Sequence, residues 1–372
     1  MSASEGSLPR LFGAPSTPQL VLHVLESPPV KSCLDPKGDL CIQVGEAPAT
    51  SFIVCSRTLA RTSSFWNTML YGEFKESKKF CPENGLEWMV ELPDDDPRPM
   101  ALLLNIVHCH FDVVPSYPGP IGIQDLYEIS VLTDKYDMTH TLRPWARGWL
   151  HSIMDSLGEM PDVSLREQYC QERLWISWEL GDKAGFEGIA IVMLLNSSAS
   201  TEDANSLRCD GVLEPPDIYK ILEQTRLNMI KEILTSLNHI IQGLIQNEKI
   251  FCEKYKEKSK KKIQRDRGDC LASMLGAGIQ SLHSTGLWPI PQPTDVQWSV
   301  SYLSEKLRTV EIQSNIGEHH TCSQKRALQA GVENVLHSIP SLLTEVHYGH
   351  LDSQARRSGI SPTESDGIFD SL

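Results

Sequence analysis

The chain has 372 residues, 40% hydrophobic and 22% charged, with a formal net charge of −14. Length predicts two or three domains and composition an ordinary packed core, while the acidic balance excludes generic nucleic-acid binding, which needs phosphate neutralisation. No apolar run reaches the length of a bilayer span, and residues 1–18 lack the apolar centre of a signal peptide. Ten cysteines without framework spacing suit reduced thiols, so an intracellular protein, nuclear or cytoplasmic and without membrane association, is expected.

Taken in order, residues 1–18 are rich in Ser, Pro and Gly and predict a disordered leader. Gln19 to Leu25 is a candidate first strand carrying Val21, Leu22 and Val24. Asp39 to Gly45 and Phe52 to Val54 read as strands, and Glu46 to Thr50 suits a hairpin loop between them. Ser56 and Ser63 stand where helix N-caps would, each opening a short helix. Leu59, Phe65, Trp66, Met69 and Leu70 make those helices so apolar that they need a sheet to lie against. Leu86, Trp88, Val90 and Leu92 share one face of a strand at period two. Asp94 to Pro97 then starts a helix with acidic residues at the positive end of its dipole; Met100, Leu103, Leu104 and Val107 form its apolar face. Ile123 to Tyr136 is the next helix, and Thr139 caps another carrying Leu142, Trp145, Ala146, Trp149 and Ile153. Those two tryptophans are either a recognition surface or packing. Leu59, Phe65, Trp88, Leu103 and Tyr136 are the expected core.

Several of these stretches together carry a resemblance. They are G-D-L at Gly38 to Leu40, the Leu59…Ser63…Phe65 spacing, E-L-P-D-D-D at Glu91 to Asp96, and D-K-Y-D at Asp134 to Asp137. In this order they resemble a BTB/POZ domain, and W-A-R-G-W-L at Trp145 to Leu150 is similar to the fungal version. The fold class implied is α/β (α+β): a BTB/POZ domain over residues 19–155, then an all-α C-terminal domain over 160–350. Its implied function is protein–protein interaction without catalysis, as a scaffold or oligomerisation module. The resemblance also implies that the first strand, with Val21, Leu22 and Val24, crosses to a second copy in a homodimer. In BTB proteins serving cullin ubiquitin ligases, a hydrophobic residue and a glutamate hold the cullin; Phe74 and Glu76 match loosely, which keeps a substrate adaptor as the alternative. Cys55 stands where many such domains have histidine, at a packing position.

Beyond residue 160 the pattern is helical. Pro215-Pro216 opens a long helix striped by Ile218, Leu222, Met229, Ile233, Leu237, Ile241 and Leu244, either a domain spine or a coiled-coil seam. Further helices are expected over Asp269 to Leu282, Val296 to Val310 and Lys325 to Ser338, with a disordered tail over 351–372. Lys254 to Arg267 is the one strongly basic stretch: a solvated helix end, a nuclear-import signal, or, least favoured, a direct nucleic-acid contact. His108-Cys109-His110 points its side chains apart on a helix and reads as structural. Cys252, Cys270, His320 and Cys322 are the candidate metal ligands, thiolates and imidazole suiting Zn²⁺, although the spacing is irregular and His319 also precedes Cys322. This region supports a third reading, a metal-dependent or thiol enzyme. No other catalytic constellation and no cofactor-binding loop is legible.

Overall fold

Period-two apolar runs build the sheet on which the N-terminal half rests. A computed structural model describes residues 25, 27–28, 30–78, 88–116, 121–154, 163–198, 211–248, 251–252 and 261–360. Strands β1 (Lys31–Cys33), β2 (Leu40–Val44), β3 (Thr50–Val54) and β4 (Met89–Leu92) form one sheet in the order β1-β3-β2-β4. The expected hairpin is present as the antiparallel β2–β3 pair, in register Leu40 to Val54 through Val44 to Thr50. β4 runs parallel to β2 and β1 parallel to β3. Trp88, Val90 and Leu92 turn inward while Met89 and Glu91 face solvent, as the alternation predicts. The three-residue β1 has no periodicity to announce it. Leu25 lies outside any strand, its amide donating to Asp125 Oδ2 at 3.1 Å. Val21, Leu22 and Val24 lie outside the described residues.

Two short helices, α1 (Ser56–Thr62) and α2 (Ser64–Tyr71), follow β3 directly and pack on each other. Ser63 caps α2 as expected, accepting from the Trp66 amide at 3.2 Å and donating to the Tyr136 carbonyl at 2.5 Å. Ser56 is not the N-cap of α1, which is Cys55. Instead Asp39 accepts from both the amide and the hydroxyl of Ser56, each at 2.9 Å, and so supplies the missing acceptor from the strand. Helix α3 (Pro97–Val107) starts as predicted: Asp96 accepts from the Arg98 amide, and proline occupies the first turn. Its end is pinned by His108, whose Nε2 accepts from the Cys55 amide at 3.0 Å while Nδ1 donates to the Leu104 carbonyl at 2.8 Å.

The expected core is correct for Leu59, Trp88, Leu103 and Tyr136, and wrong for Phe65, which is 40% exposed. Helical rotation gives the reason: Trp66 takes the inward position at the start of α2 and stacks on Tyr136 with ring centroids 4.8 Å apart. Phe65 is left one step around the helix, touching Tyr136 by its edge alone. The D-K-Y-D stretch is a clamp. The Tyr136 hydroxyl and Lys135 Nζ both donate to the Asp95 carboxylate, and Asp137 accepts from Ser64 and pairs with Arg357. Burial and the Asp95 carboxylate push the Tyr136 phenol well above its ordinary range, so it stays a donor.

Helices α4 (Ile123–Lys135) and α5 (Ala146–Met154) follow. Thr139 opens a short 3₁₀ turn (Thr139–Leu142) rather than capping α5, its hydroxyl turned to Glu179 at 2.5 Å. Trp149 is buried, donating to the Pro115 carbonyl, and Trp145 stacks on it, so the packing reading holds for this pair. The remaining helices are α6 (Val163–Leu180), α7 (Lys183–Asn196), α8 (Ile218–Ile245), α9 (Lys261–Ser284), α10 (Val300–Arg308), α11 (Lys325–His337) and α12 (Glu345–Ser358). Among the described residues no helix is long and apolar enough to cross a membrane. The stripe of α8 is buried against α7, α9 and α11, so it is a spine rather than a seam between chains. Of the basic run, residues 253–260 lie outside the described residues and Lys261 opens α9.

The predicted tail begins too early. Residues 351–358 belong to α12, with Leu351 and Ala355 buried. The helix packs on α6 and α7, and a Cβ on Gly181 would lie 2.1 Å from the Ala355 amide nitrogen. Only glycine permits that approach, and its φ of +76° favours glycine as well. Beneath α12, Glu179 is buried, Oε1 accepting from Thr133 and Thr139 and Oε2 from Gln354 Nε2 at 2.7 Å. Gln354 Oε1 is buried without a hydrogen-bond partner, and half a turn of that amide would aim it at a protonated Glu179.

Two predictions follow from this packing. Trp66→Ala should cost about 3–5 kcal/mol and Phe65→Ala only about 1–2 kcal/mol in denaturant titrations; equal losses would contradict the assignment of the inward ring. Burial pushes the Glu179 carboxyl up from 4.5 to about 7, against the opposing pull of Thr139 and Thr133. A raised folded-state value means that stability is fullest below 4.5 and is lost as pH rises through 7. Wild type should therefore lose roughly 2–3 kcal/mol more than Glu179→Gln between pH 5 and pH 8, measured by chemical denaturation at both.

Candidate metal centre

Cys252, Cys270, His319 and Cys322 come together from three separate parts of the helical half. Cys252 follows α8: the helix closes at Gln246, Asn247 turns left-handed at φ +54°, and Phe251 and Cys252 fold back beside it. Cys270 lies on α9 and faces inward. The other two come from a strap between α10 and α11, where a single bridge pairs Gln313 with Ser323. Inside that strap the Ser314 amide donates to the Cys322 carbonyl at 3.0 Å, and the Gln324 amide to Ile312 at 2.9 Å.

A 3₁₀ turn over Gly317–His319 sets the local geometry. The Cys322 amide donates to the His319 carbonyl at 2.9 Å, so residues three apart in sequence face the same way. His319 therefore points in, 7% exposed, with Cys322 beside it. His320, the histidine expected as ligand, is exposed; its Nδ1 meets the Gly317 carbonyl at 2.9 Å, and its own carbonyl accepts from Gln313. The correction is one of spacing. His-x-x-Cys brings both side chains to one side of this tight turn, whereas His-x-Cys places them on opposite sides.

His319 Nδ1 lies 3.4 Å from Cys252 Sγ and 3.8 Å from Cys322 Sγ. All four donor atoms lie within 4.8 Å of one another, and all four residues are buried. This Cys₃His cluster could hold a metal ion. Hydrogen bonding alone accounts poorly for the arrangement, because one imidazole nitrogen has one lone pair and two sulfurs crowd it. Burial pushes the Cys270 thiol up to about 12, while a hydrogen bond from Ser314 acts in the opposite direction, toward thiolate. Ser314 is itself fully buried and stands next to the sulfurs as an outer support.

The remaining site residues are placed apart from this cluster. Phe74 is 54% exposed in the turn after α2. Glu76 is half-buried, its carboxylate beside Lys75 at 3.6 Å and its carbonyl accepting from the Trp88 indole at 2.9 Å. Phe74 thus presents its ring to solvent, while the backbone of Glu76 is tied to the Trp88 indole. No family model, no curated protein and no solved structure matches the chain.

The geometry separates the two neighbouring histidines experimentally. His319→Ala should abolish metal uptake by the full chain in elemental analysis, and His320→Ala should leave it unchanged; the reverse pattern would overturn the ligand assignment.

Proposed function

We propose that this chain is a non-catalytic protein-interaction protein, with a BTB/POZ-like N-terminal half and a helical half held together by a structural zinc ion. The interaction reading is carried by one observation: α2 and the turn after it leave Phe65 and Phe74 exposed in one short stretch, 40% and 54% respectively. Exposed aromatic rings on a rigid element are the side chains that interface cores favour. A hairpin followed directly by two short helices, with a further strand alongside it, is also the arrangement that the resemblance to BTB/POZ domains implies.

Zinc is the metal that the donors fit. With Zn–S near 2.3 Å and Zn–N near 2.0–2.1 Å, tetrahedral geometry puts sulfur and nitrogen roughly 3.5 Å apart. The separations of His319 Nδ1 from the Cys252 and Cys322 sulfurs are 3.4 and 3.8 Å, and Cys270 Sγ lies within 4.8 Å of the other donors. Three cysteines and a histidine fill all four positions, whereas catalytic zinc keeps one open for water or substrate. That closure, with every ligand buried, favours a structural role over the metal-enzyme or thiol-enzyme reading.

Scaffold and adaptor forms of this function differ at Glu76. A cullin contact needs the glutamate carboxylate presented with Phe74, and its pairing with Lys75 favours the self-associating scaffold. Light scattering of the full chain over a tenfold concentration range tests it. The expected result is a dimer whose mass falls to that of a monomer in Phe74→Asp. A wild-type monomer that also ignores a purified cullin would overturn the interaction reading at this surface.

A further inference from the structure

The contacts behind the metal ligands say what the ion controls. Phe251 immediately precedes Cys252, and its ring packs closely on Gly243 of α8. A Cβ built on Gly243 would stand 2.0 Å from Phe251 Cε2 and 2.5 Å from Cζ. The ring is 5% exposed and is flanked by His239 at 6.0 Å between centroids, so it has no open space to swing into. The strap is seated in a comparable way. Ile312 is fully buried against Gly278 of α9 beside Ile241 of α8, its side chain 3.5 Å from where a Cβ on Gly278 would stand. Strap and Phe251 are also joined directly: Gln324 Nε2 donates to the Phe251 carbonyl at 3.0 Å.

We propose that the centre is a metal-operated latch, in which zinc seats Phe251 on Gly243 and docks the 312–324 strap on α8 and α9, and loss of zinc releases both. This inference rests on the reading of the cluster as a zinc centre. Its logic is linkage. An ion that binds only the arrangement with all four donors converged stabilises whatever else belongs to that arrangement. The strap's own backbone pairing is a single bridge; beyond it the strap is tied to α9 by the buried Ile312 and by the Asn315 amide, which donates to Ser273 at 3.0 Å, and to Phe251 by the Gln324 bond. Cys322 and His319 are its covalent route to the ion, and Cys252 is the route by which the same ion holds the Phe251 ring in place. Gly243 is then a positioning residue for the metal, although it lies on α8 and offers no ligand atom. Reciprocity follows: pushing the ring off Gly243 must weaken metal binding, because metal–ligand distances tolerate only about 0.2 Å. When the latch opens, the stripe of α8 near Ile240, Ile241 and Leu244, buried in the closed form, loses part of its cover.

The test uses the full chain with Co²⁺ as a visible-absorbing stand-in for zinc, and Zn²⁺ competition to rank affinities. Wild type should take up one Co²⁺ per chain with thiolate-to-metal charge-transfer bands. Gly243→Ala should bind at least tenfold more weakly, with the same band positions. In a Phe251→Ala background the added methyl meets no ring, so Gly243→Ala should then have no further effect. Hydrogen exchange adds an independent readout: chelating the zinc should speed exchange tenfold or more at 312–324 and leave β2 and β3 unchanged. Absence of Co²⁺ bands and of zinc in wild type would overturn the zinc reading and the latch together. Metal binding with Gly243→Ala equal to wild type, or chelation without faster exchange in the strap, would overturn the latch alone. If Gly243→Ala fails to fold, the cycle is read from Phe251→Ala: unchanged metal affinity in that variant also overturns the latch.

Discussion

The N-terminal half depends on the position of one ring. Tyr136 stacks on Trp66, and its hydroxyl reaches the Asp95 carboxylate, so one side chain ties α2 to the loop that starts α3. Its backbone carbonyl accepts from Ser63, the residue that also caps α2. The charged neighbours extend the clamp, Lys135 to Asp95 on one side and Asp137 to Ser64 and Arg357 on the other. A buried carboxylate such as Asp95 is tolerable because two donors satisfy it; an unpaired one would favour the unfolded chain. Four elements distant in sequence are thereby fixed around a single aromatic stack.

The same logic recurs where the two halves meet. α6 buries Arg173 and Glu179, and each is answered from a neighbouring element: Asp182 for the guanidinium, and Thr133, Thr139 and Gln354 for the carboxyl. Through Glu179 the C-terminal helix α12 is joined to α4 and the 139–142 turn, and through Ser358 to the Leu180 carbonyl at 2.6 Å. Apolar burial supplies the driving force along this seam, and the polar contacts set its register. Gly181 lets the α12 backbone approach closely enough for those contacts to form.

The metal cluster solves a different problem. The strap between α10 and α11 is short of regular hydrogen bonds, with one bridge of its own and single bonds to Ser273 and Phe251. Four soft or borderline donors converge beneath it, and a metal ion held there would give that irregular segment an attachment that does not depend on secondary structure. Thiols dispersed through the sequence, without framework spacing, are the raw material for such a site.

Local chemistry in the sequence determined the parts whose physics is local. The β2–β3 hairpin, the inward face of β4, the caps at Ser63 and Asp96 and the stripe of α8 follow from periodicity, side-chain acceptors and proline, which act within a few residues. Three of the four cluster residues were nameable from residue type alone, since sulfur and imidazole are the donors that such an ion takes. Tertiary structure decided the rest. Whether Phe65 or Trp66 turns inward depends on where Tyr136 sits 70 residues later, whether His319 or His320 points at the sulfurs depends on a 3₁₀ turn, and whether residues 351–358 are tail or helix depends on the groove that α6 and Gly181 offer them. Each is a choice between locally equivalent alternatives, and only contacts between distant segments carry the free energy that separates them.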